Sequence, residues 1–268
     1  MISDAASLHS TLFAGATEVE VGQRIGRLRR FNVAMGVLHA VQGAAILILA
    51  TSFTLPIVTY PLTGPPGSAT ETITLFDLRI AWAVAAFLFI SAIAHLVIAS
   101  PMTFPTYQRM LVTGRNDYRW VEYSLSASLM AVLIALLSGI SDAAALIAIF
   151  GVNAAMIFFG LLQERYERPG GRMLPFWLGC VVGVVPWLSI GIYLAGIGTD
   201  VQAPGFVYAI FVSLFVFFMS FAVVQWLQYR RVGPWKDYLV GETSYVVLSL
   251  VAKSALAWQI FAGTLASG

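Results

Sequence analysis

The chain is short of charge, of lysine and of cysteine. Of 268 residues only 10% are charged, whereas 59% are hydrophobic and the mean hydropathy is +0.84. Too few polar side chains remain to cover the surface of a soluble domain, so a soluble globular fold is excluded and a polytopic membrane protein is indicated. The one cysteine, Cys180, lies inside an apolar run. That rules out an intrachain disulfide and a cysteine-based metal site. None of the three histidines has a partner at a metal-ligand spacing such as HExxH, so no metal is expected. Residues 1–22 lack the basic start and apolar core of a signal peptide, and the N-terminus is expected to be retained.

What is present is a series of seven apolar segments, each about as long as a membrane-crossing helix needs to be. They run near 31–53, 78–100, 120–140, 143–163, 175–197, 205–228 and 243–265. Turn-forming stretches separate them: GPPG at 64–67, SGISD up to Asp142, RYERPGGR at 165–172, TDVQAP at 199–204 and RRVGPWKD at 230–237. The expected fold is therefore an all-α membrane protein, a seven-helix bundle over 31–268 preceded by an N-terminal extension over 1–30. TLPIVTYPL and TETITL alternate apolar and polar residues on either side of GPPG, which predicts a β-hairpin in the loop 52–77, with a disordered loop as the alternative. The edges of such a hairpin can pair with a second chain.

Basic residues set the orientation. Thirteen of the fifteen fall on one side, from Arg24, Arg27, Arg29 and Arg30 before span one to Arg230, Arg231 and Lys236 before span seven. The N-terminus is expected to be cytoplasmic and the C-terminus external, with the hairpin on the external side.

Only two lysines occur, and one of them, Lys253 in LSLVAKSALAWQIF, interrupts the last apolar segment. A lysine at the bilayer centre costs about 2.5–3.5 kcal/mol on insertion scales. Two readings account for it. The lysine either pairs with an acid to fix helix packing, or serves as a desolvated nucleophilic amine that condenses with a carbonyl. A cationic nitrogen there needs a counterion. Of the thirteen acids, Glu122 in RWVEYSLSAS is the one placed within a span, while Glu164 at the end of span four is expected at the interface. Ser126 lies one turn beyond Glu122, and Ser249 one turn before Lys253. Arg119 is three residues before Glu122, on the same helix face, and reads equally as a membrane-interface anchor. His39 and His95 are internal too. Each reads as a satisfied core residue or, with Gln42 one near turn from His39, as part of a polar cavity. Met156, Trp177, Phe218 and the neighbouring aromatics read as core packing or as the lining of a flat, elongated ligand.

These segments resemble a known family. RWVEYSLSAS, IAIFGVNAAMIFFG, LPFWLGC, APGFVYAI and SLVAKSALAWQIFAGT are similar to the corresponding segments of the heliorhodopsins, a branch of the microbial retinal proteins. The likeness runs from about Phe31 to the end of the chain. It implies all-trans retinal on Lys253 with Glu122 as counterion, Ser126 and Ser249 beside the linkage, and Met130, Asn153, Met156, Gly160, Trp177 and Phe218 along the polyene. It implies a polar cavity of His39, Gln42 and His95, with Arg119 close to it, and a homodimer involving the hairpin. The same branch is marked by the inverted orientation that the arginines indicate independently. One departure is Met219 in FFMSF, where the family often carries a polar residue; it bears on colour rather than on attachment.

Three function classes follow. The favoured one is a light sensor with a slow cycle and no ion pumping, acting on an unidentified signalling partner rather than as an enzyme. The second is a light-driven proton transporter or channel. The third lies outside photochemistry: a transporter or enzyme with a structural lysine. Lipid surrounds the chain in each case, and no nucleic-acid partner is expected.

Overall fold

The structure is a computed structural model that describes residues 9–196 and 202–265. Residues 1–8 of the expected extension, and 199–201 of the TDVQAP break, lie outside the described residues.

Seven helices are long and apolar enough to cross a membrane among the described residues. In chain order the elements are α1 (Glu18–Leu49), β1 (Thr54–Thr59), β2 (Ile73–Arg79), α2 (Ile80–Ala99), α3 (Phe104–Val112), α4 (Asp117–Leu137), α5 (Ala143–Tyr166), α6 (Leu174–Leu194), α7 (Gly205–Tyr229) and α8 (Tyr238–Ile260). All but α3 are the spanning helices. A turn of π-helix, Phe261–Leu265, prolongs α8.

Several helices start earlier than hydropathy places them, and capping explains where. Thr17 and Glu20 form a reciprocal capping box, so α1 begins at Glu18 and runs unbroken through the expected boundary at residue 30. The Asn116 side chain accepts from Arg119 N–H at the start of α4. Asp142 does the same for Ala145 N–H at the start of α5, and Asp237 for Leu239 N–H at the start of α8. Hydropathy detects only the apolar middle of each helix, whereas the cap detects its first turn.

The hairpin forms as expected. β1 and β2 pair antiparallel, with Leu55 opposite Leu78 and a register shift between Ile57 and Val58. Val58 N–H donates to Ser141 O at 2.9 Å, which ties the hairpin to the α4–α5 turn. The helix α3 is an addition to the expected seven. Its Tyr107 and Leu111 are buried against Leu12, Ile25 and Tyr238, closing the N-terminal end of the bundle. The main core lies toward the hairpin end. There Leu133, Ile134 and Ala135 of α4 meet Val84 and Phe87 of α2 and Leu256 and Ile260 of α8, all fully buried.

Candidate functional site

Three helices converge on the interrupting lysine. Lys253 on α8 is 3% exposed. Its Nζ donates to Glu122 Oε1 of α4 at 3.0 Å and to Ser249 Oγ one turn back at 2.7 Å. The Tyr123 ring lies 5.0 Å from the same nitrogen. From α2, the Ser91 hydroxyl donates to Glu122 Oε1 at 2.6 Å. Ser126, fully buried, also faces the Glu122 carboxylate. Charge is thus balanced one to one, and the hydrogen bonds around the pair satisfy what burial would otherwise leave costly.

Beside this pair opens a cavity of about 500 Å3 walled almost entirely by apolar groups. Lys253 and Ser249 line it, as do Met130, Met156, Gly160 and Phe218. Trp187 packs edge-on against Phe211, Phe215 and Phe218, with ring centroids 5.2–5.5 Å apart. Gly160 matters for its missing side chain. A Cβ there would strike the Trp120 indole, which also borders the cavity. Gly160→Ala is expected to displace Trp120 and lower stability by about 1–3 kcal/mol, the usual cost of overpacking. Thermal unfolding in detergent reads this directly, and an unchanged Tm would refute the contact.

Two expected lining residues lie elsewhere. Trp177 is 50% exposed and turned outward, edge-on to Phe176. The inner stripe of α6 runs through Phe176, Gly179, Cys180, Gly183 and Trp187, and position 177 is rotated by roughly 100° from Phe176. Asn153 is buried but absent from the cavity wall, and its Nδ2 donates to Ser128 Oγ at 3.1 Å, tying α5 to α4.

The polar cavity also differs from expectation. His39 and His95 do stack, with centroids 5.6 Å apart and planes 10° from parallel. The partner of His95 is Asn32, whose Oδ1 lies 2.7 Å from His95 Nδ1. Gln42 stands apart, accepting from Trp258 Nε1 at 3.0 Å. Three residues after His39 leaves it roughly 60° around the helix, enough to move it from the inner face to the flank.

Arg119 belongs to a second buried cluster. It pairs with Glu164 at 2.7 Å and with Glu242. Glu164 also accepts from Asn116 N–H at 2.9 Å, Trp120 Nε1 at 2.5 Å and Tyr238 Oη at 3.1 Å. Glu164 is therefore a core residue, not an interfacial one, and among the described residues Glu122 is one of three buried acids on the spanning helices. Glu242 escaped the sequence reading because span seven was begun one residue after it. Asp237, a visible N-cap residue, was the signal that the helix starts earlier. Ser91 was missed as well, although it lies one turn from His95 in SAIAH.

Seven spanning helices with a carboxylate-paired lysine on the wall of an apolar cavity define a membrane protein of rhodopsin-like fold. A family model described as Heliorhodopsin matches residues 28–265, and the chain belongs to that family. The fold is similar to the crystal structure of the transmembrane domain of Salpingoeca rosetta rhodopsin phosphodiesterase. That likeness has a TM-score of 0.64 and 14% identity, covering 97% of this chain and 94% of that one. No curated protein sequence matches the chain. Family and fold make it a retinal-binding, photoreceptor-type membrane protein. The residues present fit that group: the apolar cavity lies within the 300–1,000 Å3 range of small-molecule sites, and a primary amine lies on its wall.

Proposed function

We propose that the chain is a sensory photoreceptor that carries all-trans retinal on Lys253, uses Glu122 as counterion, and regulates a partner without pumping ions. The observation that carries this reading is the Lys253–Glu122 pair, 3.0 Å apart, with Lys253 on the wall of an apolar cavity. Bound retinal supplies light absorption and a change of shape. Lys253 holds it through the side-chain nitrogen, Glu122 balances the positive charge there, and Ser91 and Ser249 orient the two partners. Met130, Met156, Gly160, Trp187 and Phe218 confine the apolar part and exclude water.

The distribution of polar groups supports a sensor over a pump. Vectorial transport needs a proton to leave on one side and return from the other through groups matched in pKa. Toward the hairpin end, Leu133, Ile134 and Ala135 of α4 and Leu256, Ala257 and Ile260 of α8 are fully buried and carry no proton-exchanging group. His39, His95 and Asn32 lie on the other side. A proton leaving the Lys253 nitrogen meets His95 and His39 there and returns the same way. With no buried carboxylate at the hairpin end among the described residues to act as a donor, the return is slow, which holds a state that a partner can read. The basic N-terminal end faces the cytoplasm in this reading, and the exposed hairpin edge serves a homodimer.

Liposomes containing the retinal-loaded protein are expected to show no sustained pH change under continuous light, while flash photolysis shows a long-lived intermediate. Sustained, uncoupler-sensitive acidification or alkalinisation would overturn the sensor reading in favour of proton transport.

A further inference from the structure

A second cavity, about 850 Å3, opens at the N-terminal end of the bundle between α1, α7 and α8, away from the lysine site. Its α1 wall carries a gradient. On α1, Arg24 and Arg27 are followed within two turns by Leu28 and Phe31. On α8, Thr243 and Ser244 lie between Leu239 and Val240 on the outer side and Val247 and Leu248 further in, and on α7 the groove runs inward along Leu227, Val224 and Val223 to Ser220. The α1 wall therefore passes from charged to apolar over roughly 10 Å at 1.5 Å per residue, against walls of α7 and α8 that are mostly apolar.

The polar rim is partly fixed. Arg24 makes a bidentate pair with Asp237 at 2.7 and 2.8 Å, so its charge is already matched. Trp235 Nε1 donates to Ser244 Oγ at 3.2 Å, anchoring an indole where interfacial aromatics sit. Arg27 is different. It is exposed, and among the described residues no carboxylate pairs with it. Below it Val247 is 42% exposed on a helix that crosses the membrane.

We infer that this groove holds one anionic phospholipid of the surrounding leaflet, its phosphate at Arg27 and an acyl chain along Phe31, Val223 and Val247. The charged-to-apolar gradient of α1, facing the mostly apolar walls of α7 and α8, matches an anionic headgroup followed by an acyl chain. A helix of a second copy would meet a concave slot framed by three helices rather than a flat face. An unpaired arginine at the rim selects an anionic headgroup over a zwitterionic one. Basic pockets between spanning helices are recognised sites of this kind.

The test is native mass spectrometry of the full chain in detergent with phosphatidylglycerol and phosphatidylcholine of identical acyl chains, added in equal amounts. The wild type is expected to retain the phosphatidylglycerol adduct about fivefold over phosphatidylcholine, the factor that one basic residue worth about 1 kcal/mol supplies. Arg27→Gln is expected to abolish the preference while keeping some of both adducts. Val247→Trp, which fills the groove from an exposed position, is expected to abolish both. Arg30→Gln, exposed on the same helix but outside the groove, is expected to change nothing; circular dichroism verifies the fold of each variant. Equal retention of the two lipids by the wild type would overturn the proposal, as would an Arg30→Gln loss equal to that of Arg27→Gln. Dissociation of a dimer by Val247→Trp, without lipid adducts in the wild type, would place a second copy in the groove and also overturn it.

Discussion

Lys253→Ala protein is expected to stay colourless when incubated with retinal, whereas the wild type acquires a visible absorption band. The sequence contains two lysines, and the other, Lys236, is exposed in the short helical turn Gly233–Lys236 before α8. No second lysine amine can therefore reach the cavity that Lys253 lines. The alanine variant also leaves Glu122 buried without its cation, so poor folding is a competing reason for lost colour. Lys253→Arg separates the two. It keeps a positive charge beside Glu122 but cannot form the same linkage, and is expected to fold, by circular dichroism, and remain colourless. A visible band in either variant would remove Lys253 from the attachment role.

Glu122→Gln is expected to act in two ways. Without retinal it strips the buried ammonium of its partner while preserving shape, and breaking a buried pair in this manner costs about 3–5 kcal/mol. With retinal it is expected to move absorption strongly to the red, or to let the Lys253 nitrogen lose its proton near neutral pH. The carboxylate favours positive charge held at that nitrogen, where the ground state has it. Excitation moves the charge away along the polyene, so removing the carboxylate narrows the gap. The spectrum recorded across a pH titration measures both outcomes. An unchanged spectrum together with an unchanged titration would assign the counterion to another group.

That the two partners could be read from sequence follows from their rarity. Each is an ionisable residue well inside an apolar run, and such residues in a membrane call for one another. Ser249 and Ser126 were legible for a simpler reason, since one helical turn puts them beside a named partner. The Arg119–Glu164–Glu242 cluster was not legible because hydropathy finds the apolar middle of a helix and misjudges its ends. Glu164 and Glu242 sit where the apolar segment has stopped but the helix has not. The caps Asn116 and Asp237 carried that information, and they place α4 and α8 several residues further out. Trp177 and Gln42 failed on rotation: residue type suggested a cavity role, but helical phase sets which face a side chain occupies. The helix α3 was hidden for lack of length, although Tyr107 and Leu111, four apart on one face, marked its buried side.

The fully apolar packing of Leu133, Ile134, Leu256 and Ile260 also bears on where a message can go. Tyr123, beside Lys253, donates to Tyr245 O, and the Tyr245 ring lies under Arg119. Hydrogen-bonded groups thus lead from the lysine pair toward the face that holds Arg119, Glu164 and Glu242, while the four apolar residues insulate the α4–α8 contact on the opposite side. In the sensor reading, a shift of charge at Lys253 is then addressed to one membrane surface. A partner listening from the hairpin side would have to feel it mechanically, through the strap that Val58 makes to Ser141.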